Sequence, residues 1–240
     1  MPDLFEIISE DEDFLVINKP AGLVCHPTKG DVYSSLISRV RLYLKTEGAP
    51  HMINRLDRET SGVVFIAKHL GAAVKLRQLW ETRLVSKEYL AIVHGHLSQA
   101  RMIISAALGK DPRSRVAIKD AVVPGGVEAE THVTLQKIFE RDGKPFSRVR
   151  VTPLSGRKHQ IRIHLSHIGH PIVGDKLYGG DEELYLAFVE GRLTPEQSTA
   201  LMTPHHALHA ATVRFEWFGS HRAFSCKPEK WFSDFAGISA

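Results

Sequence analysis

The sequence predicts an α+β fold built on a mixed sheet. Apolar runs of strand length recur along the 240 residues, and several of them are separated only by short polar turns. Helical patterns stand between other runs without the regular alternation of a wound parallel sheet. With 43% hydrophobic residues the chain can bury a real core, and we expect a single domain over residues 1–240.

The first half of the chain alternates strands with helices. The runs FEII and FLVIN flank an acidic turn and predict a hairpin. The segment SSLISRVRLYLK predicts a helix, because Leu36, Val40 and Leu44 recur at a spacing of four and Ser34 or Ser35 can cap the N-terminus. The run GVVFIAK predicts a buried strand, GAAVKLRQLWETR a second helix, and SKEYLAIVHG a strand covered on both faces.

The second half predicts two further strands, THVTLQKIF and SRVRV, followed by the helix HQIRIHLSHIG. In SRVRV the side chains of Arg148 and Arg150 fall on one face and the valines on the other. Gly169 ends the helix, with Pro171 just beyond it. The stretch DEELYLAFVEGRLTPEQSTALM predicts a helical excursion on the surface, and HALHAATVRFEW predicts a long final strand.

Composition excludes several classes of protein. No apolar run has the length of a membrane span, and the acidic start MPDLFEIISEDED lacks the features of a signal peptide, so we expect a cytoplasmic protein. Cys25 and Cys226 lie far apart in sequence, which favours reduced, packed thiols over a disulfide framework.

Positive charge is concentrated in one part of the chain. The formal net charge is only +4, but the segment 137–163 carries eight Lys or Arg residues against two acidic ones. Such a stripe, together with KDPRSR at 110–115, is typical of a surface that binds nucleic-acid phosphates. A solvated surface with no partner is the alternative, and it is the commoner outcome for charge runs in general.

The stretch RLDRETSG contains the first candidate for catalysis. Asp57 stands in a loop directly before a buried strand, a position that holds a side chain rigidly and still exposes it. Asp57 has three possible charge partners that would keep its carboxylate ionised: Arg55, Arg58 and, from a distant segment, Arg162. An ionised and desolvated aspartate is a nucleophile or a base, although a structural salt-bridge network is an open alternative.

Metal ions and nucleotide cofactors have no support in the sequence. The chain contains fourteen histidines, but their spacings within HHALH and HQIRIHLSH do not match a metal-ligand set. The glycine patterns of a phosphate-binding loop or a dinucleotide fingerprint are missing from SGRKHQIR and GHPIVGDKLYGG. We expect neither a metal nor a cofactor.

Five segments together resemble the RluA-type pseudouridine synthases, which isomerise uridine in RNA to its C-glycoside. They are, in the order that the family has them, INKPAGLVCHP, NRLDRETSGVVFIAK, SKEYLAIVHG, GRKHQIRIHLSHIGHPIVGDKLYGG and HALHAATVRF. The resemblance implies a mixed, largely antiparallel sheet with flanking helices and a central RNA-binding cleft. It also implies a reaction without cofactor on structured RNA, either tRNA or rRNA.

The resemblance assigns a role to three residues. Asp57 matches the catalytic aspartate, Tyr89 the tyrosine that packs against the uracil ring, and Arg162 the arginine that pairs with the aspartate. Arg55 matches a side chain that enters the RNA stack when the target base has left. We further expect contacts to RNA from the basic residues Arg58, Arg148, Arg150, Arg157 and Lys158.

Two departures from the family pattern bear on RNA binding. Asn54 stands where the family usually has histidine, so a charged contact to phosphate is not expected there, whereas catalysis should survive. A small basic domain that several relatives carry before the catalytic domain is not found ahead of FEII. We expect a monomer without a protein partner. A non-catalytic RNA-binding or chaperone protein, or a hydrolase with an aspartate nucleophile, is the alternative.

Overall fold

The structure, a computed structural model, describes residues 5–27, 34–45 and 49–237. Its strands are β1 (Glu6–Glu10), β2 (Phe14–Lys19), β3 (His51–Met52), β4 (Ser61–Ala67), β5 (Ser86–His94), β6 (Arg101–Ser105), β7 (Leu108–Lys110), β8 (Asp120–Val122), β9 (Glu130–Arg141), β10 (Lys144–Pro153), β11 (Leu208–Trp217) and β12 (Ser220–Ser225). Its helices are α1 (Leu36–Leu44), α2 (Leu70–Glu81), α3 (Gln160–His167), α4 (Glu183–Val189), α5 (Pro195–Ala200) and α6 (Lys230–Phe235). Within the described ranges no helix is long and apolar enough to cross a membrane.

The predicted fold class is confirmed. Most strand pairs are antiparallel, whereas β4 and β11 run parallel, which makes the sheet mixed and largely antiparallel. The chain divides into two compact units: unit 1 comprises Met1–Lys87 with His209–Glu229, and unit 2 comprises Glu88–Leu208 with Lys230–Ala240. A single functional domain over residues 1–240 stays a prediction.

Unit 1 is built around β4, all of whose residues are buried. In this unit β1, β2, β4 and β11 follow one another, β12 pairs with β11, and β3 pairs with β4. The core is aromatic: Phe14, Phe65 and Phe215 contact one another at ring-centroid distances of 5.5 to 6.3 Å. Helix α2 covers this cluster with its buried residues, among them Ala73 and Leu76. The apolar side of this helix therefore faces the core.

Helix α1 forms where the leucine and valine spacing predicts it. Ser35 is the N-cap, and its side chain accepts a hydrogen bond from the Ser38 N–H at 3.3 Å. Leu36 and Val40 are fully buried, while Arg39 and Arg41 remain more exposed.

Unit 2 contains the strands β5, β10, β9 and β6 in that order, with β7 and β8 as a separate antiparallel pair. Val149 and Val151 in β10 are fully buried, as predicted for one face of this strand. Helix α3 packs on the same face, because His164 hydrogen-bonds the Thr131 hydroxyl at 2.8 Å and Thr131 shares the face of Val151. As predicted, Gly169 stands just beyond the end of α3, after the C-cap Ile168, and adopts a φ of +80°.

Gly62 fixes the distance between β4 and β11. Its φ is +115°, and a Cβ atom at this position would lie 2.2 Å from the Ala210 carbonyl oxygen. The parallel pairing of Ser61 with His209 and of Gly62 with Ala210 therefore requires a residue without a side chain.

We predict that Gly62→Ala lowers the free energy of unfolding by roughly 2–4 kcal/mol, because strain at positive φ adds to a backbone clash. Chemical denaturation of the purified variant measures this loss. Gly219→Ala is the matched control: its φ is +74° and its Cβ would meet no atom within 4 Å, so only the conformational cost of about 1 kcal/mol remains. Equal losses in the two variants would contradict the close approach as the cause.

Candidate active site

The loop between β3 and β4 contains Asp57. The Thr60 N–H donates to the Asp57 carbonyl oxygen at 3.1 Å, which closes a turn directly before β4. Asp57 is half-buried, and Arg55 and Arg58 on either side of it are exposed. Leu56 is buried at the foot of the loop. The predicted arrangement, a reachable carboxylate on a rigid base, is therefore present in unit 1.

Lys19 ties this loop to the segment INKPAGLVCHP. Its side chain is fully buried, and Nζ donates to the carbonyl oxygens of Pro20 at 2.9 Å, Leu23 at 2.8 Å and Arg58 at 3.1 Å. Burial lowers the pKa of Lys19 to about 8, and the charges of Cys25, Glu229 and Asp57 act in the opposite direction. Lys19 was not predicted as a functional residue, although it lies inside a segment that carries the family resemblance.

Two further contacts hold the same pair of segments together. The Gly22 N–H donates to the Arg58 carbonyl oxygen at 2.9 Å, and Arg58 Nε donates to the Gly22 carbonyl oxygen at 3.3 Å. The Cys25 thiol donates to the Leu56 carbonyl oxygen at 3.4 Å. The backbone on either side of Asp57 is thus held from one neighbouring segment.

The end of the loop is fixed by a buried histidine. His209 Nδ1 lies 2.9 Å from the Ser61 hydroxyl, and His209 Nε2 lies 3.1 Å from the Cys226 carbonyl oxygen. Because a carbonyl only accepts, Nε2 carries the proton and Nδ1 accepts from Ser61. Burial lowers the pKa of His209 to about 4, so the ring is neutral near pH 7.

Tyr89 and Arg162, the other residues predicted to be catalytic, belong to unit 2. Tyr89 is half-buried in β5, opposite Val151 of β10. Because residues opposite each other in an antiparallel pair share a face, Tyr89 lies on the face of the sheet that α3 covers. Arg162 is one of the buried residues of α3. The structure thus brings Tyr89 and the helix of Arg162 to the same side of the unit 2 sheet.

Arg162 forms a buried two-point ion pair with Asp175. Arg162 Nε lies 2.7 Å from Asp175 Oδ2, and Nη2 lies 2.8 Å from Oδ1. Oδ1 also accepts from the backbone N–H groups of Leu177 and Tyr178 at 2.9 and 3.0 Å, and the Tyr178 ring lies 4.9 Å from the guanidinium. Burial alone would raise the pKa of Asp175, but the Arg162 charge and these hydrogen bonds hold it well below its usual range.

Asp175 was not predicted as a partner of Arg162. It lies in GDKLYGG, within a segment quoted for the resemblance, so its position in that segment was the available signal. The pairing of Arg162 with Asp57 stays a prediction.

The basic stripe at 137–163 does not form one free surface. Lys137 and Arg141 donate to backbone carbonyl oxygens at the end of α6, and Arg150 pairs with Glu88 at 3.5 Å. Lys158 pairs with Asp120 at 2.7 Å, and Arg157 is exposed beside it. Much of the charge counted in the sequence therefore serves contacts inside unit 2.

Arg148 and Arg150 lie on the face of the unit 2 sheet opposite Tyr89. They alternate with the buried Val149 and Val151, and Tyr89 shares the valine face. Arg157 and Lys158, by contrast, directly precede α3. If Arg148 and Arg150 contact RNA, they do so on a different face from Tyr89.

Comparison with known proteins identifies the class of this chain. The family described as RNA pseudouridylate synthase matches residues 13–167, and the chain belongs to that family. The chain is 33% identical over 213 residues to ribosomal large subunit pseudouridine synthase D of Haemophilus ducreyi, which covers 88% of this chain and 62% of that protein. It is 37% identical over 219 residues to the protein of the same name from Pseudomonas aeruginosa, which covers 88% and 63%.

Among solved structures, one titled human RNA Pseudouridylate Synthase Domain Containing 1 matches with a TM-score of 0.75 at 27% identity, covering 96% of this chain and 85% of that one. The family named by the resemblance is thereby confirmed at the level of RNA pseudouridylate synthases. The chain spans less than two thirds of the length of the two curated relatives.

We predict that Arg162→Met lowers the free energy of unfolding by about 3–5 kcal/mol, because it leaves the Asp175 carboxylate buried without its counter-ion. Thermal or urea unfolding measures the loss. The double variant Arg162→Met with Asp175→Asn should recover most of it, since a neutral amide oxygen still accepts from the two backbone N–H groups. Arg150→Met removes an arginine from a half-exposed pair and is the control, with a change within about 1 kcal/mol. A loss no larger than that of the control would refute the buried pair.

We also predict an acid-sensitive contribution from His209. Its pKa is about 4 in the fold and 6.5 for an ordinary histidine, so between these values the unfolded chain binds the proton and the folded chain does not. Stability from this group is therefore complete above about pH 6.5 and falls by up to about 3 kcal/mol as the pH drops to about 4. Urea unfolding across this range should show a shallower loss for His209→Gln than for the wild type. His221→Gln, an exposed position in β12, is the control, and identical slopes in all three proteins would show that His209 does not act this way.

Proposed function

We propose that this protein isomerises uridine to pseudouridine in RNA, with Asp57 as the nucleophile. The observation that carries the proposal is the placement of Asp57: a half-buried carboxylate, on a loop fixed by buried groups, inside the segment matched by the family. Rigid placement of a reactive group lowers the entropic part of the barrier.

The reaction itself needs no net oxidation and no second substrate. The bond from uracil N1 to ribose C1′ breaks, the base turns, and C5 bonds to C1′ while the C5 proton leaves and N1 gains one. One carboxylate can serve this sequence by attack at C1′ or at C6, or by assisting deprotonation at C2′, provided that water is excluded while the glycosidic bond is open. All three routes fit an aspartate at position 57.

Tyr89 and Arg162 supply the other functions that the reaction requires. Tyr89 packs against the uracil ring and assists proton transfer, for which its half-buried phenol on the α3 face of unit 2 is suited. Arg162 carries the positive charge that keeps the nucleophilic carboxylate ionised. Its orientation is already fixed by Asp175, so no ordering cost arises when substrate binds.

Recognition of the RNA rests on base flipping and backbone contacts. Extruding a uridine from structured RNA costs a few kcal/mol of stacking, and the exposed Arg55, two residues before Asp57, is the side chain that we propose to fill the gap. The other basic residues are proposed contacts to the RNA backbone. Arg157 and Lys158 directly precede the helix that contains Arg162, which supports them as RNA contacts over Arg148 and Arg150. Arg58, which is exposed in the Asp57 loop, is a further proposed contact to RNA.

We propose ribosomal RNA of the large subunit as the target, with tRNA as the alternative. The support is that the two relatives compared above are named ribosomal large subunit pseudouridine synthase D. A cytoplasmic monomer that acts without a protein partner or cofactor fits such a reaction. A protein that binds RNA on this scaffold without catalysis is the second candidate, favoured only by the basic segments.

The decisive experiment is carbodiimide mapping of pseudouridine in total RNA from a strain that lacks this gene. The same strain is restored with the wild type, with Asp57→Asn, or with Arg148→Gln as a control on the opposite face of unit 2. We expect one or more uridines to lose the mark in the deletion and to regain it with the wild type and the control. Asp57→Asn should bind RNA as the wild type does and restore nothing, because an amide is not a nucleophile here.

The mapping separates the candidates. Restoration by Asp57→Asn would return Asp57 to a structural role and favour the non-catalytic protein. A mark lost from tRNA instead of ribosomal RNA would keep the reaction and change the target. If no position changes, purified protein with labelled RNA decides, by release of tritium from uridine C5.

A further inference from the structure

The edge of β4 that faces β3 and β11 has a gap in its strand pairing. β11 pairs with β4 at Ser61 and Gly62, and β3 pairs with β4 at Ile66 and Ala67. Between these points the backbone of β4 is buried and must find other hydrogen-bond partners, because an unpaired buried peptide group is costly. The Phe65 carbonyl oxygen accepts from the Ile53 N–H at 2.9 Å.

The side chain of Asn54 fills the rest of the gap. Its Nδ2 lies 3.1 Å from the Val63 carbonyl oxygen, and its Oδ1 lies 2.8 Å from the Phe65 amide nitrogen. The orientation of the amide follows from its partners, since the carbonyl can only accept and the N–H can only donate. One carboxamide therefore forms the two hydrogen bonds, one donated and one accepted, that a backbone peptide group would form. It extends the hydrogen bonding between β3 and β4 beyond their last main-chain pair.

Asn54 stands three residues before Asp57, at the base of the loop that contains it. The other contacts of this loop hold it at Leu56, at Arg58 and, at its end, at Ser61. Ile53 and Asn54 hold the start of the loop, where the chain leaves the sheet. A change at Asn54 therefore alters the direction in which the chain departs from the sheet toward Asp57.

We infer that Asn54 is a positioning residue for the reaction: its carboxamide sets the geometry of the Asp57 loop and does not contact RNA. The inference rests on the proposed function of Asp57. It also accounts for an uncharged residue at this position, because a donor and an acceptor are both needed and a net charge is not. Since a displacement of about 1 Å can cost about a hundredfold in rate, we expect losses of tenfold or more in the bound-state rate.

The test uses two variants that separate the donor from the acceptor. Asn54→Asp keeps an acceptor for Phe65 but turns a carboxylate oxygen toward the Val63 carbonyl, and Asn54→Leu removes both contacts at nearly constant size. Asn18→Ala is the matched control, because Asn18 is an asparagine in β2 of the same unit whose Nδ2 bonds the exposed Glu6 carboxylate at 2.7 Å. Single-turnover tritium release, RNA affinity and unfolding are measured for all four proteins.

We expect both Asn54 variants to lose at least about tenfold in single-turnover rate with less than about threefold change in RNA affinity, while the control matches the wild type. The Asp variant adds a discriminating readout. Its protonated acid has the donor and acceptor of the amide, so its rate relative to the Leu variant should rise as the pH falls from about 8 to about 5. A change confined to RNA affinity, or an unchanged rate, overturns the inference and makes Asn54 a binding or a neutral residue.

Amide hydrogen exchange keeps the test independent of activity. The Phe65 N–H should exchange at least about tenfold faster in Asn54→Leu, with the amides of β1 and β2 unchanged. Unchanged Phe65 exchange would refute the contact even if activity fell. If the wild type released no tritium from any RNA, the proposed reaction would fail, and the exchange result would still decide whether Asn54 holds the loop.

Discussion

The ammonium group of Lys19 is the interaction on which the geometry of unit 1 most depends. A fully buried charge is tolerated only where its hydrogen-bond capacity is met, and here three backbone carbonyl oxygens meet it. Two of these belong to its own segment and the third to Arg58, beside Asp57. The segment INKPAGLVCHP and the Asp57 loop thus share one cation, and neither can move without leaving it unsatisfied. Glu229 and Asp57 contribute opposing charge that keeps the pKa of Lys19 from falling further than about 8.

The sequence could predict the parts of the fold in which periodicity is strong. The helices α1 and α2 and the strands β2, β4 and β10 carry an apolar pattern long enough to specify both type and buried face. β3 has two residues and α6 has six, and the short strands β6 to β8 alternate too briefly for a period to be read. Their existence depends on contacts distant in sequence, such as the hydrogen bonds from Lys137 and Arg141 that hold the end of α6.

The candidate site likewise contains residues that the sequence could predict and residues that it could not. Asp57 could be predicted because a carboxylate, a turn and a buried strand are adjacent in the chain. Lys19, Asn54 and His209 were not predicted as supports, because their partners are mostly backbone groups, which no residue spacing encodes. The number of basic residues in the segment 137–163 did not predict a free basic surface, for a related reason. The number of arginines in a segment does not show which of them pair with neighbouring groups. Arg162 is the clearest example, since two of its guanidinium nitrogens bond Asp175 inside unit 2.

The supports around Asp57 have a chemical feature in common. His209 is held neutral by burial, and Asn54 contributes an uncharged donor and an uncharged acceptor, so neither changes its charge near pH 7. Lys19, the buried cation beside the loop, donates to the carbonyl oxygens of Leu23 and Arg58. Hydrogen bonds of this kind fix the backbone of the Asp57 loop from several directions. A loop whose backbone is fixed in this way carries Asp57 at a set position, which is the geometric requirement that the proposed reaction places on it.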